Sequence, residues 1–154
     1  MSYLSLKTIH MFSMVLLFGT GFGSAWYKWM ADRSGKVKHI AATNRQVVLA
    51  DWLFTTPTIV IQPLTGFGLL VLLDIPLSTP WVSWSLVLYI IAGACWLPVV
   101  WLQIKMRQLS ELASLTNSDL NEQYWQYAKM WLSLGVPAFS AMVVIVFLMV
   151  FKPG

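Results

Sequence analysis

The chain has 154 residues, of which 58% are hydrophobic and only 10% charged, with a formal net charge of +4. Soluble domains carry about 25% charged residues, so this composition excludes an ordinary water-facing surface and points to a bilayer. The basic excess comes without the stripe of basic and stacking aromatic side chains that a nucleic-acid surface needs, which excludes that class as well.

Four stretches hold no Asp, Glu, Lys or Arg: 20 residues between Lys7 and Lys28, 22 between Asp51 and Asp74, 30 between Asp74 and Lys105, and 22 between Lys129 and Lys152. A helix needs roughly 20 apolar residues to cross about 30 Å of hydrocarbon. Unpaired backbone groups are costly in lipid, so each stretch must be helical. The predicted fold class is therefore all-α: an integral membrane, antiparallel four-helix bundle forming a single domain over residues 1–154.

The first predicted helix spans about 4–27. Gly23-Ser24-Ala25 resembles a signal-peptide cleavage site, but the positive charges Lys28, Arg33, Lys36 and Lys38 follow the apolar run instead of preceding it. The run is therefore expected to be a retained span. Gly19 and Gly23 form a G-x-x-x-G, for which close helix packing is the default account. A basic loop to about Arg45 follows. The second helix spans about 46–73, with Pro57 inside it and with Gly66 and Gly68 leaving one stretch nearly bare, suited to close packing or to a flat ligand. A short turn holding Pro76 and Pro80 leads to the third helix, about 81–103, which contains Pro98 and the only cysteine, Cys95. A lone cysteine forms no internal disulfide and reads as a small apolar packing residue. A second polar loop leads to the fourth helix, about 127–151, with Pro137 inside it. Each internal proline removes a backbone donor and can kink its helix, opening space at the bundle centre.

Eight of the ten basic residues fall in or beside the two long loops; Lys7 and Lys152 alone lie at the other side. The positive-inside rule places those loops in the cytoplasm and both termini outside, with the bacterial inner membrane as the expected location. Trp26, Tyr27, Trp29, Trp52, Trp101, Tyr124, Trp125, Tyr127 and Trp131 gather at the inner boundary and read as an interfacial belt. Trp96 is the exception, deep in the third helix.

Ionisable groups inside a membrane are functional candidates. His10 is the only one well inside a run, roughly 9 Å deep at helical rise. It suits a helix–helix hydrogen bond, a haem or metal ligand, or a proton relay. Lys7, three residues earlier on the same face, can pair with a haem propionate, and Gly66 and Gly68 lie at matching depth as an open wall. Met142 is the methionine nearest His10 in depth, but core packing is its ordinary role. His39 is on the opposite side and cannot share one iron with His10. A second polar cluster gathers Arg45, Asp51, Gln103, Lys105 and Lys129 near the inner face. Asp51 is expected to pair with one of these cations, or else to mark an entry site. Gln62, beside Pro63, is expected to satisfy freed carbonyls or to line a cavity.

The stretches Leu6-Lys7-Thr8-Ile9-His10, Val48-Leu49-Ala50-Asp51-Trp52-Leu53-Phe54-Thr55-Thr56-Pro57, Gln62-Pro63-Leu64-Thr65-Gly66 and Ala92-Gly93-Ala94-Cys95-Trp96-Leu97-Pro98-Val99-Val100-Trp101-Leu102-Gln103 closely resemble an uncharacterised bacterial family, domain of unknown function 2269. More distantly the chain is similar to the HemJ-type protoporphyrinogen IX oxidases, four-helix membrane proteins that bind haem b. The shared pattern is Lys7 and His10, then Thr56, Pro57 and Gly66, then Val136, Pro137, Lys152 and Pro153. That resemblance implies a haem b held by His10 and a redox-type function. The lysine those oxidases carry early in the third helix is missing after Trp81; the resemblance implies haem without the oxidase reaction if that lysine serves it, and a HemJ-like oxidoreductase otherwise. A homodimer would offer more room for a porphyrin than one small bundle. A non-enzymatic accessory subunit and a small transporter are the alternatives; no inverted repeat speaks for the second.

Overall fold

The computed structural model describes residues 2–153. It holds four helices long and apolar enough to cross a membrane: α1 (Tyr3–Ser34), α2 (Val37–Leu72), α3 (Pro80–Leu115) and α4 (Glu122–Phe151). Helix α1 starts behind Ser2, whose hydroxyl accepts the Ser5 N–H at 3.3 Å. It stops at Gly35, whose φ of 65° is left-handed and turns its N–H onto the Asp32 carbonyl. Glycine takes that conformation without steric cost. Helix α3 opens on Pro80, which loses nothing at a position where the N–H has no helical partner. Helix α4 is capped by Asn121, whose side chain accepts the Tyr124 N–H at 3.0 Å.

The spans expected at about 46–73 and 81–103 run on into the stretches read as loops. Only Gly35 and Lys36 separate α1 from α2, and α3 continues twelve residues past Gln103, to Leu115. Once a helix is nucleated, residues such as Gln, Lys, Arg and Glu propagate it well, so leaving the apolar zone gives no reason to stop.

Helix α2 is not uniform. Asp51–Thr55 form one π-helical turn, in which the Thr56 N–H reaches back to the Asp51 carbonyl. Pro57 follows at once; its ring crowds the preceding turn, and the widened turn accommodates it. Pro63 frees the carbonyl of Ile59, four residues earlier. The Tyr89 hydroxyl of α3 donates to that oxygen at 2.5 Å, tying the two spans together.

Helix α1 packs on α2, α3 packs on α4, and the first part of α2 bridges to α3. The core lies at the basic end, where Ile40, Leu102, Met106 and Tyr124 are buried together. Along the spans, large apolar side chains such as Phe12, Val71, Ile90 and Phe151 face outward, as lipid requires.

The basic end also corrects the charge count. Lys28 is not a loop cation: only 1% of it is exposed. Its ammonium lies 2.8 Å from Asp32 Oδ2 and 3.2 Å from the Tyr124 hydroxyl. Tyr124 donates to Asp32 Oδ1 at 2.5 Å. Asn44 donates to both the Tyr124 and the Ser110 hydroxyl at 3.0 Å. The Lys28 ammonium also stands 5.3 Å and 5.4 Å from the ring centres of Tyr124 and Trp131. Tyr124 and Trp131, expected in the interfacial belt, are instead core residues that hold a buried charge by hydrogen bonding and cation–π attraction.

Candidate ligand-binding cavity

Two polar layers lie within the spans, and they differ in kind. The first surrounds His10. Its Nδ1 is 2.8 Å from the Thr65 hydroxyl and its Nε2 is 3.2 Å from the Gln62 amide nitrogen. The Gln62 carboxamide oxygen accepts from Ser13, and Thr65 donates its own proton to the Ile61 carbonyl at 2.7 Å. The Gln62 amide and the Thr65 hydroxyl thus face the two ring nitrogens from one helix. Both imidazole nitrogens are therefore occupied, and every member of the layer has a partner.

This arrangement does not fit a haem on His10. Both of its ring nitrogens already face a side-chain partner. The open wall expected at Gly66 and Gly68 is filled by α1: a Cβ on Gly66 would lie 3.3 Å from His10 Cε1, and one on Gly68 would lie 2.8 Å from the Leu6 side chain. The two glycines let α1 and α2 close on each other. Lys7 points away, exposed, with its ammonium 5.6 Å from the Tyr3 ring centre. So His10, Gly66 and Gly68 do share one layer, but it is packed, and Lys7 stands outside it.

The second layer is a cavity of about 330 Å³ walled by all four helices. Ser24 of α1, Asp51 and Thr55 of the π-turn, Tyr89, Trp96 and Gln103 of α3, and Trp131 and Ser140 of α4 supply its polar groups. Its remaining wall is apolar and aromatic, including Phe18, Ile59, Phe139 and Met142. Gly21, Gly93 and Gly135, from three different helices, line it too, and an added Cβ at any of them would meet nothing within 4 Å. By contrast, the expected close packing at Gly19 and Gly23 is not seen: nothing approaches within 4 Å there either.

The expected ion pair of Asp51 does not form. One carboxylate oxygen, Oδ1, accepts from Thr55 at 2.8 Å, a bond along a single helix. Arg45 turns instead to Glu111, at 3.0 Å across the basic end, and Lys105 lies over the Trp101 ring. Gln62 bonds His10 and Ser13, while Gln103 faces the cavity. Four buried side-chain atoms among the described residues lack any hydrogen-bond partner, and three of them belong to cavity residues: Asp51 Oδ2, Trp96 Nε1 and Trp131 Nε1. Each of the three is covered by surrounding protein, so other atoms of these side chains line the space, and Gln103 lies within hydrogen-bonding reach of the Asp51 carboxylate.

The cavity opens sideways. Its exposed lining residues, Phe22, Leu132, Val136 and Ser140, all lie on α1 and α4. Beside the opening these two helices meet through aromatic side chains, with Phe18 and Phe22 at 5.5 Å and 6.0 Å from Phe139. The opening thus lies on the apolar side of the bundle, between α1 and α4.

Four helices long and apolar enough to cross a membrane, closed round an internal cavity, fit the class of integral membrane proteins. The chain belongs to the family described as "Predicted integral membrane protein (DUF2269)", which matches residues 4–153. No curated protein and no solved structure matches it.

Proposed function

We propose that this protein binds a small apolar molecule drawn from the bilayer in the cavity between its four helices. The observation that carries this is one largely apolar and aromatic cavity walled by all four helices, with exposed lining residues on α1 and α4 alone. A volume of about 330 Å³ lies within the usual range of ligand pockets. The distribution of basic residues supports an orientation with both termini outside, in a bacterial inner membrane. The role is that of a ligand-binding subunit or small carrier.

The haem reading has the HemJ-like spacing of Lys7 and His10 in its favour and the closed packing of His10 against it. A porphyrin there would need both His10 hydrogen bonds broken and α1 parted from α2. One preparation tests both readings. Protein in lipid nanodiscs is extracted with organic solvent and the extract examined by mass spectrometry, for the natural sequence and for a Gly93→Leu, Gly135→Leu variant that fills the cavity. The natural protein should yield an apolar molecule that the variant lacks; identical extracts would refute the cavity reading. No Soret band should develop on haem supply. A band that disappears in His10→Ala would restore the haem reading.

A further inference from the structure

The wall of the cavity narrows what can fill it. Its polar groups are spent on the protein itself: Ser24 donates to the Thr20 carbonyl, Thr55 to Asp51, and Tyr89 to the Ile59 carbonyl. Asp51 Oδ2 and the two indole nitrogens are covered. The surface left for a ligand is mainly carbon, so hydrocarbon suits the space and a polar head finds little to bond there. A cavity of about 150 Å³ holds benzene, about six carbons. At about 330 Å³ this one takes about a dozen. Along α4 its lining runs from Trp131 to Met142, about 16 Å at helical rise. Three bonds of an extended chain advance about 3.6 Å, so a dozen carbons in one chain reach about 14 Å. One alkyl chain matches both figures, and two do not fit.

The rim of the opening ends on cations. On α1, Phe22, Trp29 and Arg33 follow one another on one exposed face; on α4, Val136, Leu132 and Lys129 do the same. Lys28 bonds the Tyr124 hydroxyl and stands over the Trp131 ring, which sets this turn of α1 level with that stretch of α4. Trp29 and Lys129 therefore close the same end of the opening, with Arg33 one turn further out, its guanidinium 4.8 Å from the Trp29 ring centre. Neither exposed cation joins an ion pair among the described residues. Asp32 spends its oxygens on Lys28 and Tyr124, and Glu122, on the face of Lys129, lies about 10 Å away at helical rise.

Resting on the reading of the cavity as a site for an apolar molecule, we infer that the ligand is a long-chain fatty acid. Its alkyl chain fills the cavity, and its carboxylate stays outside, at the rim, with Arg33 and Lys129. Charge complementarity selects an anionic head, and a guanidinium fork matches a carboxylate. The volume selects a single chain.

Photo-crosslinking of the protein in phosphatidylcholine nanodiscs tests this. The probe is hexadecanoic acid carrying a diazirine midway along its chain, and the competitors are hexadecanoate, hexadecane and phosphatidylglycerol. Peptide mass spectrometry should find labels on cavity residues such as Trp96 and Phe139 in excess of those on outward-facing Phe12 and Ile90. Hexadecanoate should remove the cavity labels, and hexadecane should compete at least about tenfold more weakly. Arg33→Gln and Lys129→Gln should each weaken hexadecanoate about fivefold, while Lys129→Arg keeps its affinity. Both positions are exposed, and unfolding temperatures in the same discs separate lost binding from lost folding. If hexadecane competes as well as hexadecanoate, the fatty-acid assignment fails while the cavity remains a site for an apolar ligand. Equal competition by phosphatidylglycerol overturns the assignment in favour of a phospholipid chain. Undiminished binding in a folded Arg33→Gln, Lys129→Gln protein overturns it too. If the cavity residues carry no excess label, both readings fail.

Discussion

The His10 layer and the Asp51 cavity are built from similar materials: a titratable side chain, a glutamine, a threonine and nearby glycines. They differ in whether the space between the helices is filled. Around His10, each donor meets an acceptor, and Gly66 and Gly68 are covered by α1. Around Asp51, Gly21, Gly93 and Gly135 face open space. A titratable group in a membrane span is therefore a weak guide by itself. A closed layer fastens helices, whereas an open one leaves room for something else to fill.

The sharpest way to extend the contrast uses the third polar cluster, at the basic end. Lys28 there is buried and fully engaged, so it belongs with His10 on the fastening side. Lys28→Met leaves the Asp32 carboxylate without its cation, a change that costs about 3–5 kcal/mol when a buried pair is broken. Denaturant or thermal unfolding in mixed micelles should show the largest loss of any single variant considered, and a loss below about 1 kcal/mol would contradict the fully packed arrangement.

His10→Ala is next in size. It strands Thr65 and Gln62, and interhelical hydrogen bonds in membranes contribute about 0.6 kcal/mol on average and up to about 1.7. A loss of about 1–2 kcal/mol is expected, with binding in the cavity unchanged. Loss of ligand binding with full stability would reverse the roles assigned to the two layers.

The glycines give a matched pair. Gly68→Ala places a methyl group 2.8 Å from the end of the Leu6 side chain, which must turn aside, so the usual helix gain of about 1 kcal/mol should be offset. Gly93→Ala adds the same methyl group to empty space and removes a flexible residue from a helix, so stability should hold or rise by up to about 1 kcal/mol. Equal effects at both positions would mean that one wall is misjudged.

The spans were legible because bilayer burial is written in charge-free runs, which need no knowledge of partners. Their helical extensions were not, because charged residues propagate a helix as readily as they populate a loop. Lys28 shows the same limit: counting it as a cytoplasmic charge assumed exposure, and only the approach of Asp32, Tyr124 and Trp131 makes it a core residue. The His10 neighbourhood was partly legible, since depth along two helices aligns His10 with Gly66 and Gly68. Whether that layer is open or closed depends on how far apart the helices sit, which no spacing reveals. Asp51 and Gln103 stand out as polar groups near a span, but the expected ion pair took shared depth for contact, and Arg45 and Lys105 turn to Glu111 and Trp101 instead. Trp131 gave no distinguishing sign. A usable signal did exist on α4: Trp131, Gly135 and Phe139 recur every four residues, on one face. That face lines the cavity.

The smallest expected effect is the most telling. Asp51→Asn keeps an oxygen for the Thr55 hydroxyl and replaces the other with an amide nitrogen in the buried space beside Gln103. A fastening residue should lose stability on such a change, because the lost interaction has nothing to replace it. A residue beside an open cavity should not, because a buried carboxylate costs more to desolvate than a buried amide. Stability in ligand-free nanodiscs should accordingly stay the same or rise by up to about 1 kcal/mol, read as an unchanged or higher unfolding midpoint. A fall as large as that of His10→Ala would place Asp51 among the structural groups and dissolve the difference between the two layers.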